Sequence, residues 1–449
     1  MILSARHLRR CIQCGVLQHH PPWPLVDVDL VQLAKLYQSK PYDYGKIIQA
    51  LMDRAGFEYF FELFSSHINT MVYAGVVLPG IQPFLIEGLN DEWLGIVDWR
   101  KYRRDHAMHQ PMTAYAVEQL LNGGPVFPGR LQVAGKTLLD WAVDAVFDEA
   151  GPRYLFTFAK TLGFAPWATQ DNWAARILWR FLFRDAAYFA AMFHDVGFAW
   201  QYATSLTRAL DGLLPGTDAV LDSVFAASYG AETRLMHAAF NGYQWPVAPR
   251  PMTHTNQLRS LVDDGLSKTH GLPGALGLIY LGDWLEHYPR SPYYAVGRLL
   301  LEWAALAVFM HDVEDLYSPW DDGMKQFVIK RPYLRLIFKR DPLSTLLKLS
   351  DEVQEFGRTY AQFMPSLPWP GMPHSDITYK KACVSTQVAW DQSANSMWIR
   401  YRYIDPLEEQ EKLKYMAKTQ TQLFAAGSGF VDMGYCGINN IILDTVLKP

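Results

Sequence analysis

The sequence predicts a mainly α-helical protein with a small C-terminal α+β domain, and three observations predict this fold class. Apolar residues recur at intervals of three and four along most of the chain up to residue 365, as amphipathic helices require. Residues 365–371 read Pro-Ser-Leu-Pro-Trp-Pro-Gly, which is too rich in proline to continue a helix. Beyond this break, polar and apolar residues alternate in the manner of strands.

The individual elements follow from these patterns. Helical periodicity is clear in residues 27–38, 44–55 and 57–77, and Gly-Pro turns separate the later helices. After the proline-rich break, residues 382–389 and 397–403 form the two strands of a predicted hairpin. The pattern then predicts that residues 391–395 form the hairpin loop, residues 407–424 a helix and residues 441–446 a further strand. Together these C-terminal elements predict a separate α+β unit.

Composition sets outer limits on function. The chain has 449 residues, of which 50% are hydrophobic and 14% aromatic, so it can bury a large core. Its formal net charge of −4 gives no long-range attraction for a polyanion, and we expect no nucleic-acid partner. A local cluster of charges could still serve a small phosphate compound.

The number of cysteines and the hydropathy of the chain predict its cellular compartment. The four cysteines are too few for a disulfide framework in a chain of this size, which favours a reducing cytoplasm. Neither a signal-peptide core nor an apolar stretch of membrane-spanning length occurs, so we expect a cytoplasmic protein without a membrane partner. Cys11 and Cys14 could form half of a zinc site, or they belong to an irregular N-terminal segment.

Six histidine and aspartate side chains in five segments form the most informative pattern. They are His109, His194, Asp195, His270, His311 and Asp351. Imidazole and carboxylate together suit divalent metals such as Fe, Mn, Zn and Co, and a carboxylate can bridge two ions where an imidazole cannot. Six ligands are too many for one catalytic metal with an open position, so we predict two ions that share Asp195. The metal identity stays open among Mn, Fe, Mg, Zn and Co.

Helical spacing indicates that two of the histidines face inward. The positions four, seven and eleven before His194 are Ala190, Ala187 and Phe183. The same offsets before His311 give Ala307, Ala304 and Leu300. Each histidine therefore lies at the end of a predicted apolar helix face. A core histidine bonded to a backbone carbonyl would show the same face, so the prediction of a metal site depends on the joint pattern.

The pattern resembles the HD-domain superfamily of metal-dependent phosphohydrolases over roughly residues 100–360. The resemblance lies in Arg-Asp-His-Ala-Met-His at 104–109, Phe-His-Asp-Val-Gly-Phe at 193–198, Thr-His-Gly-Leu-Pro-Gly-Ala-Leu at 269–276, and the closing helix up to Asp351. It implies that His194, Asp195 and Asp351 form a central metal cage. His109 would complete one metal, and His270 and His311 would hold the second.

Three features depart from that family's pattern. Pro111 follows His109 by two residues, so we expect His109 to lie at or before a helix start. No lysine follows the His-Asp pair closely, and Lys268 could supply the phosphate contact instead. The separation of 85 positions between His109 and His194 implies inserted helices around residues 120–175.

The resemblance implies a division of the chain and a function. Residues 1–99 would form an N-terminal helical region, residues 100–364 an HD-type metal-binding helical domain, and residues 365–449 the α+β domain. The implied activity is hydrolysis of a phosphate ester, of a nucleotide or similar small metabolite, with Asp195 and Lys268 as catalytic residues. Two alternatives stay open, an HD-type di-iron oxygenase and an inactive HD scaffold that binds a nucleotide or a protein partner. A homo-oligomer is also left open.

Overall fold

The computed structural model describes residues 1–3, 106–122, 131–195, 270–271, 274–275, 278–279, 294–312, 320–321, 326–327, 335–356, 359–362, 378–381 and 383–447. The helices predicted between residues 27 and 77, the pair Cys11 and Cys14, and Lys268 lie outside these residues. Within them the protein is mainly helical, with a sheet towards the C-terminus, as the sequence predicts.

The helices of the described residues are α1 (His106–Asn122), α2 (Leu138–Phe147), α3 (Arg153–Thr161), α4 (Trp173–Phe193), α5 (Tyr294–Met310), α6 (Pro342–Val353) and α7 (Pro406–Gln422). Several have an N-cap side chain that accepts a hydrogen bond from the first turn, as in Asn172 for α4 and Asp341 for α6. Among these described helices, none combines the length and the apolar character that crossing a membrane demands.

The segment inserted between His109 and His194 is helical where it is described. It consists of α2, α3 and a 3₁₀ turn at Pro166–Thr169. A capping box at Thr137 starts α2, since the Thr137 hydroxyl accepts from the Asp140 backbone and the Asp140 carboxylate accepts from the Thr137 backbone. The insertion packs on α4, where the indole of Trp179 donates to the Ala168 carbonyl at 2.7 Å.

Four helices, α1, α4, α5 and α6, pack on one another to form the core of the helical region. The ring of Trp303 on α5 lies 5.8 Å from that of Trp179 and 5.4 Å from that of Phe183, both on α4. All three side chains are fully buried. The apolar faces predicted before His194 and His311 are buried as well, so both helices turn these faces to the core.

The prediction that His109 lies at or before a helix start was wrong. Helix α1 begins at His106, three residues before His109, and runs through Pro111. A proline removes one backbone hydrogen bond and crowds the carbonyl four residues before it, and at the sixth residue of a helix both effects fall on the second residue. The loss is confined to the first turns, and α1 can therefore start before the proline.

The C-terminal strands agree closely with the prediction. The described strands are β1 (Ile2–Leu3), β2 (Trp320–Asp321), β3 (Gln326–Phe327), β4 (Leu336–Ile337), β5 (Thr359–Gln362), β6 (Thr378–Lys381), β7 (Cys383–Asp391), β8 (Ser396–Tyr403), β9 (Val431–Asp432) and β10 (Asn440–Leu447). The main sheet has the order β1-β7-β8-β10. Strands β7 and β8 form the predicted antiparallel hairpin, and β10 returns parallel to β8 after α7. This parallel return is the reason why a helix separates the two strands.

The sheet is joined to the end of α6, the helix that carries Asp351. The phenol of Tyr401 on β8 donates to the Glu352 carbonyl at 2.9 Å. The ammonium of Lys412 on α7 pairs with the Glu355 carboxylate at 2.7 Å. Phe356 also forms a bridge with Cys383 at the start of β7. The C-terminal unit therefore contacts the segment that directly follows a predicted metal ligand.

Candidate metal centre

The structure brings all six predicted metal ligands together where the core helices meet. His109 lies in the first turns of α1, and Asp351 lies near the end of α6. His194 with Asp195 follows the last residue of α4, and His311 follows the last residue of α5. His109, His194, Asp195 and His311 are almost completely buried, whereas the side chains of His270 and Asp351 are 11% and 18% exposed. These side chains form a cluster inside the helical core, in which two ligands keep a small exposed fraction.

We call the first half of the cluster the His109 group, which consists of His109, His194, Asp195 and Asp351. The two imidazoles face each other through their Nε2 atoms at 3.1 Å. The Nε2 atom of His109 lies 3.4 Å from Asp195 Oδ2 and 3.0 Å from Asp351 Oδ1. The Nε2 atom of His194 lies 3.3 Å from Asp195 Oδ1 and 3.6 Å from Asp351 Oδ1.

We call the second half the His270 group, which consists of Asp195, His270 and His311. The Nε2 atoms of His270 and His311 face each other at 3.2 Å. The Nε2 atom of His270 also lies 3.1 Å from Asp195 Oδ1. Asp195 thus belongs to both groups, as a carboxylate that bridges two metal ions would.

Helix ends orient two of the four imidazoles. His194 and His311 each follow the last turn of a helix, where the final backbone carbonyls have no partner within the helix. The Nδ1 atom of His194 lies 2.8 Å from the Ala191 carbonyl, and that of His311 lies 2.5 Å from the Val308 carbonyl. Each imidazole therefore satisfies the carbonyl three residues before it and turns its Nε2 atom to the centre.

A carboxylate orients His270. Asp312 Oδ2 lies 2.9 Å from His270 Nδ1 and accepts the backbone N–H groups of His270 and Gly271 at 2.9 and 3.2 Å. A Cβ atom at position 271 would lie 2.5 Å from the Val308 carbonyl, so only glycine permits this approach to the end of α5. Asp312 is thereby held between two backbone donors and the His270 ring.

An amide orients His109. Gln354, the C-cap residue of α6, places its Oε1 atom in a short hydrogen bond with His109 Nδ1. The four imidazoles thus share one arrangement, in which Nδ1 faces an oxygen acceptor and Nε2 faces the centre. Because a carbonyl, an amide oxygen or a carboxylate only accepts, each Nδ1 atom carries a hydrogen.

This arrangement fits metal ions. An imidazole whose Nδ1 is protonated offers the lone pair of Nε2 as a ligand. Two Nε2 lone pairs at 3.1 or 3.2 Å repel each other unless a cation or a proton lies near them. Nitrogen donors combined with carboxylate oxygens suit borderline divalent metals. The donor set therefore satisfies the chemical requirement for a cation in each half of the cluster.

The pKa shifts within the cluster also indicate a site that attracts a cation. Burial lowers the pKa of His270, but the carboxylates of Asp312 and Asp195 outweigh burial and raise that pKa to about 10. Burial and the nearby positive charge of His270 lower the pKa of His311 to about 3. Burial would raise the pKa of Asp351, yet the adjacent imidazoles of His109 and His194 hold it well below its usual value. The Asp351 carboxylate is thus ionised and attracts positive charge.

Metal affinity of the His270 group is expected to fall as the pH falls. With a pKa of about 10, His270 carries a proton at neutral pH that a metal ion must displace. The apparent dissociation constant should therefore rise by up to about tenfold for each pH unit below this pKa. Chelator competition with Zn²⁺ between about pH 6 and pH 9 measures this dependence. An affinity that stays constant over the range would contradict the proposed displacement.

The structure also shows which residues the sequence interpretation missed. Nothing in the sequence context of Gln354 distinguishes it from any polar residue at a helix end. Asp312 directly follows His311 in the chain, and the structure places it against His270. Lys348, a buried lysine one turn before Asp351, lies near enough to Asp312 to help lower the pKa of that carboxyl.

Comparisons with known proteins do not identify the chain. No protein-family model matches it, and neither a curated protein nor a solved structure matches it significantly. The buried histidine and aspartate groups could hold metal ions and are compatible with an HD-type site.

Proposed function

We propose that the protein is a metal-dependent phosphohydrolase that hydrolyses a phosphate ester of a nucleotide or a similar small metabolite. The observation that carries the proposal is the position of Asp195 between two pairs of histidines whose Nε2 atoms face inward. A shared carboxylate between two nitrogen-rich groups suits a dinuclear hydrolytic centre. The order of the ligands along the chain, which resembles that of HD phosphohydrolases, supports the same class.

In this proposal the His109 group holds one divalent ion, and the His270 group holds the other. When bound, two such ions lower the pKa of a water molecule and neutralise the charge of a phosphoryl group. The histidines and Asp351 contribute by holding their donor atoms in place without rearrangement. Asp195 contributes to both halves, which fixes the two groups relative to each other.

The charge of the filled site favours an anionic substrate. Asp195, Asp351 and Asp312 supply three negative charges to the cluster, and four metal-bound imidazoles would be neutral. Two divalent cations would bring four positive charges, which leaves an excess of one before a metal-bound water molecule loses its proton. This excess would attract an anion such as a phosphate ester, and the hydroxide formed afterwards would balance it.

The exposed fractions of two ligands indicate where a substrate would enter. Asp351 and His270 have partly exposed side chains, whereas the other ligands are buried in the core. Asp351 belongs to the His109 group and His270 to the His270 group, so each half of the centre has one partly exposed ligand. Lys268 lies two residues before His270 in the chain and remains our candidate for an additional phosphate contact.

The proposal is tested by phosphate release from a panel of phosphate monoesters, cyclic nucleotides and nucleoside triphosphates, with Mn²⁺, Fe²⁺, Zn²⁺, Co²⁺ or Mg²⁺ added. We expect turnover of at least one class that disappears on metal removal and in an Asp195→Asn variant. Asp144→Asn, which removes a carboxylate paired with Lys136 and Arg176 on the surface of the insertion, is the matched control and should retain activity. Oxygen uptake with bound iron would favour the oxygenase instead. Nucleotide binding without turnover would favour the inactive scaffold.

A further inference from the structure

We infer that Gln354 is a positioning residue that makes metal binding by the His109 group depend on the end of α6. This inference rests on the metal centre of the proposed function, but it does not require that the reaction be phosphate hydrolysis. Gln354 would act through His109, whose ring it holds, and it would have no direct effect on the His270 group.

The orientation of the Gln354 amide is determined by its surroundings. Its Nε2 atom donates to the Phe356 carbonyl at 3.0 Å and lies 3.4 Å from the Met112 sulfur. A carbonyl can only accept, so the NH₂ group must face Phe356, and the Oε1 atom must face His109. The side chain is fully buried, and water therefore does not compete for these bonds.

The backbone of Gln354 is fixed as well. Its N–H group bonds to the Ser350 and Asp351 carbonyls at 3.0 and 3.2 Å and closes the last turn of α6. Asp351 lies three residues earlier in the same turn. One helix end thus supplies both a metal ligand and the acceptor that orients a second ligand, so the two are placed together.

The bond to Gln354 decides which nitrogen of His109 can bind a metal. The hydroxyl of Thr113 also lies near His109 Nδ1, but at 3.5 Å, the limit of hydrogen-bond distance. Without the Gln354 acceptor, the His109 ring can flip or take the other tautomer, in which Nε2 carries the hydrogen and cannot bind a metal. Removal of such an orienting partner typically lowers metal affinity by about 10- to 100-fold.

A neutral amide in this position also gives the two halves of the centre the same number of carboxylates. The His109 group already contains the carboxylates of Asp195 and Asp351, whereas the His270 group contains only the shared Asp195. Asp312 adds a carboxylate behind His270, and Gln354 adds no charge behind His109. The neutral partner therefore lies in the half that has more negative ligands.

The experiment compares Gln354→Met in two backgrounds that each keep one half of the centre. In His311→Ala protein, which retains the His109 group, we expect Gln354→Met to weaken the remaining metal by about 10- to 100-fold. In His109→Ala protein, which retains the His270 group, the same substitution should leave metal affinity unchanged. Chelator competition with Co²⁺ or Zn²⁺ gives both affinities, and circular dichroism reports folding.

Two further variants serve as a control and as a rescue. Gln119→Met replaces another buried glutamine of the helical core, ten residues beyond His109 on α1, and should not change metal affinity. Gln354→Glu restores an oxygen acceptor and should recover at least about tenfold of the affinity that Gln354→Met loses. These two comparisons test whether Gln354 positions His109 even if one double variant fails to fold.

Either of two results would overturn the inference. One is an unchanged affinity of Gln354→Met in the His311→Ala background. The other is an equal loss in both backgrounds, which would mean that Gln354 only supports the fold. Because these measurements need no substrate, the inference can hold when the panel of phosphate esters shows no turnover. It can also fail when turnover is found.

Discussion

Replacement of Asp195 by asparagine is expected to remove metal from both halves of the centre and to lower phosphate-ester turnover by at least about a thousandfold. Asp195 presents Oδ2 to His109 and Oδ1 to His194 and His270. Asparagine has the same shape, but one of its two oxygens becomes an NH₂ group, which cannot bind a metal. The substitution therefore removes the bridge without changing the volume of the core.

Isothermal titration with Mn²⁺ or Zn²⁺ measures this effect, and the Asp144→Asn control accounts for the loss of one negative charge elsewhere. Retention of both metals with unchanged affinity in the Asp195→Asn variant would show that Asp195 does not bridge them.

Replacement of His311 by alanine is expected to leave one metal bound while abolishing turnover. His311 belongs only to the His270 group, in which its Nε2 atom faces that of His270 at 3.2 Å. The His109 group keeps its own two histidines and two carboxylates and should retain its ion. A dinuclear reaction needs both ions, so we expect a loss of at least about a thousandfold in turnover despite the remaining metal.

The complementary variant, His194→Ala, should also leave one metal, held by the His270 group. Metal content by elemental analysis and turnover under saturating metal distinguish the two halves. Full activity of His311→Ala with one bound metal would contradict the dinuclear proposal and indicate a mononuclear reaction at the His109 group.

Much of the site could be predicted because its ligands lie at the ends of recognisable apolar helix faces. His194 and His311 each complete a stripe of buried residues, and the structure places both where helix carbonyls need a partner. The bond from imidazole to backbone carbonyl, which the sequence offered as the alternative to a metal site, is present as well. It involves Nδ1, so it leaves Nε2 for a metal, and the two interpretations are compatible.

The orienting residues could not be predicted in the same way. Gln354 meets His109 across 245 positions of the chain, and its role depends on the close of α6 against Phe356. Asp312 meets His270 because Gly271 lets the backbone approach the end of α5. Neither contact is marked in the sequence by a helical periodicity or by a local motif. The start of α1 was misjudged for a related reason, since the helix tolerates Pro111 in its early turns.

The C-terminal unit was predictable in outline because its strands alternate and its break is rich in proline. The attachment of this unit to the helical region was not predictable. It depends on Tyr401 and Lys412, which contact Glu352 and Glu355 although these residues lie far from them in the chain. These contacts lie immediately beyond Asp351.

The central claim, a dinuclear metal centre, is tested most directly by elemental analysis of the protein purified without added metal. We predict about two equivalents of a transition metal per chain, one for each histidine pair around Asp195. Protein that contains no metal, and takes up none from an excess of Mn²⁺, Fe²⁺, Zn²⁺, Co²⁺ or Mg²⁺, would contradict the account.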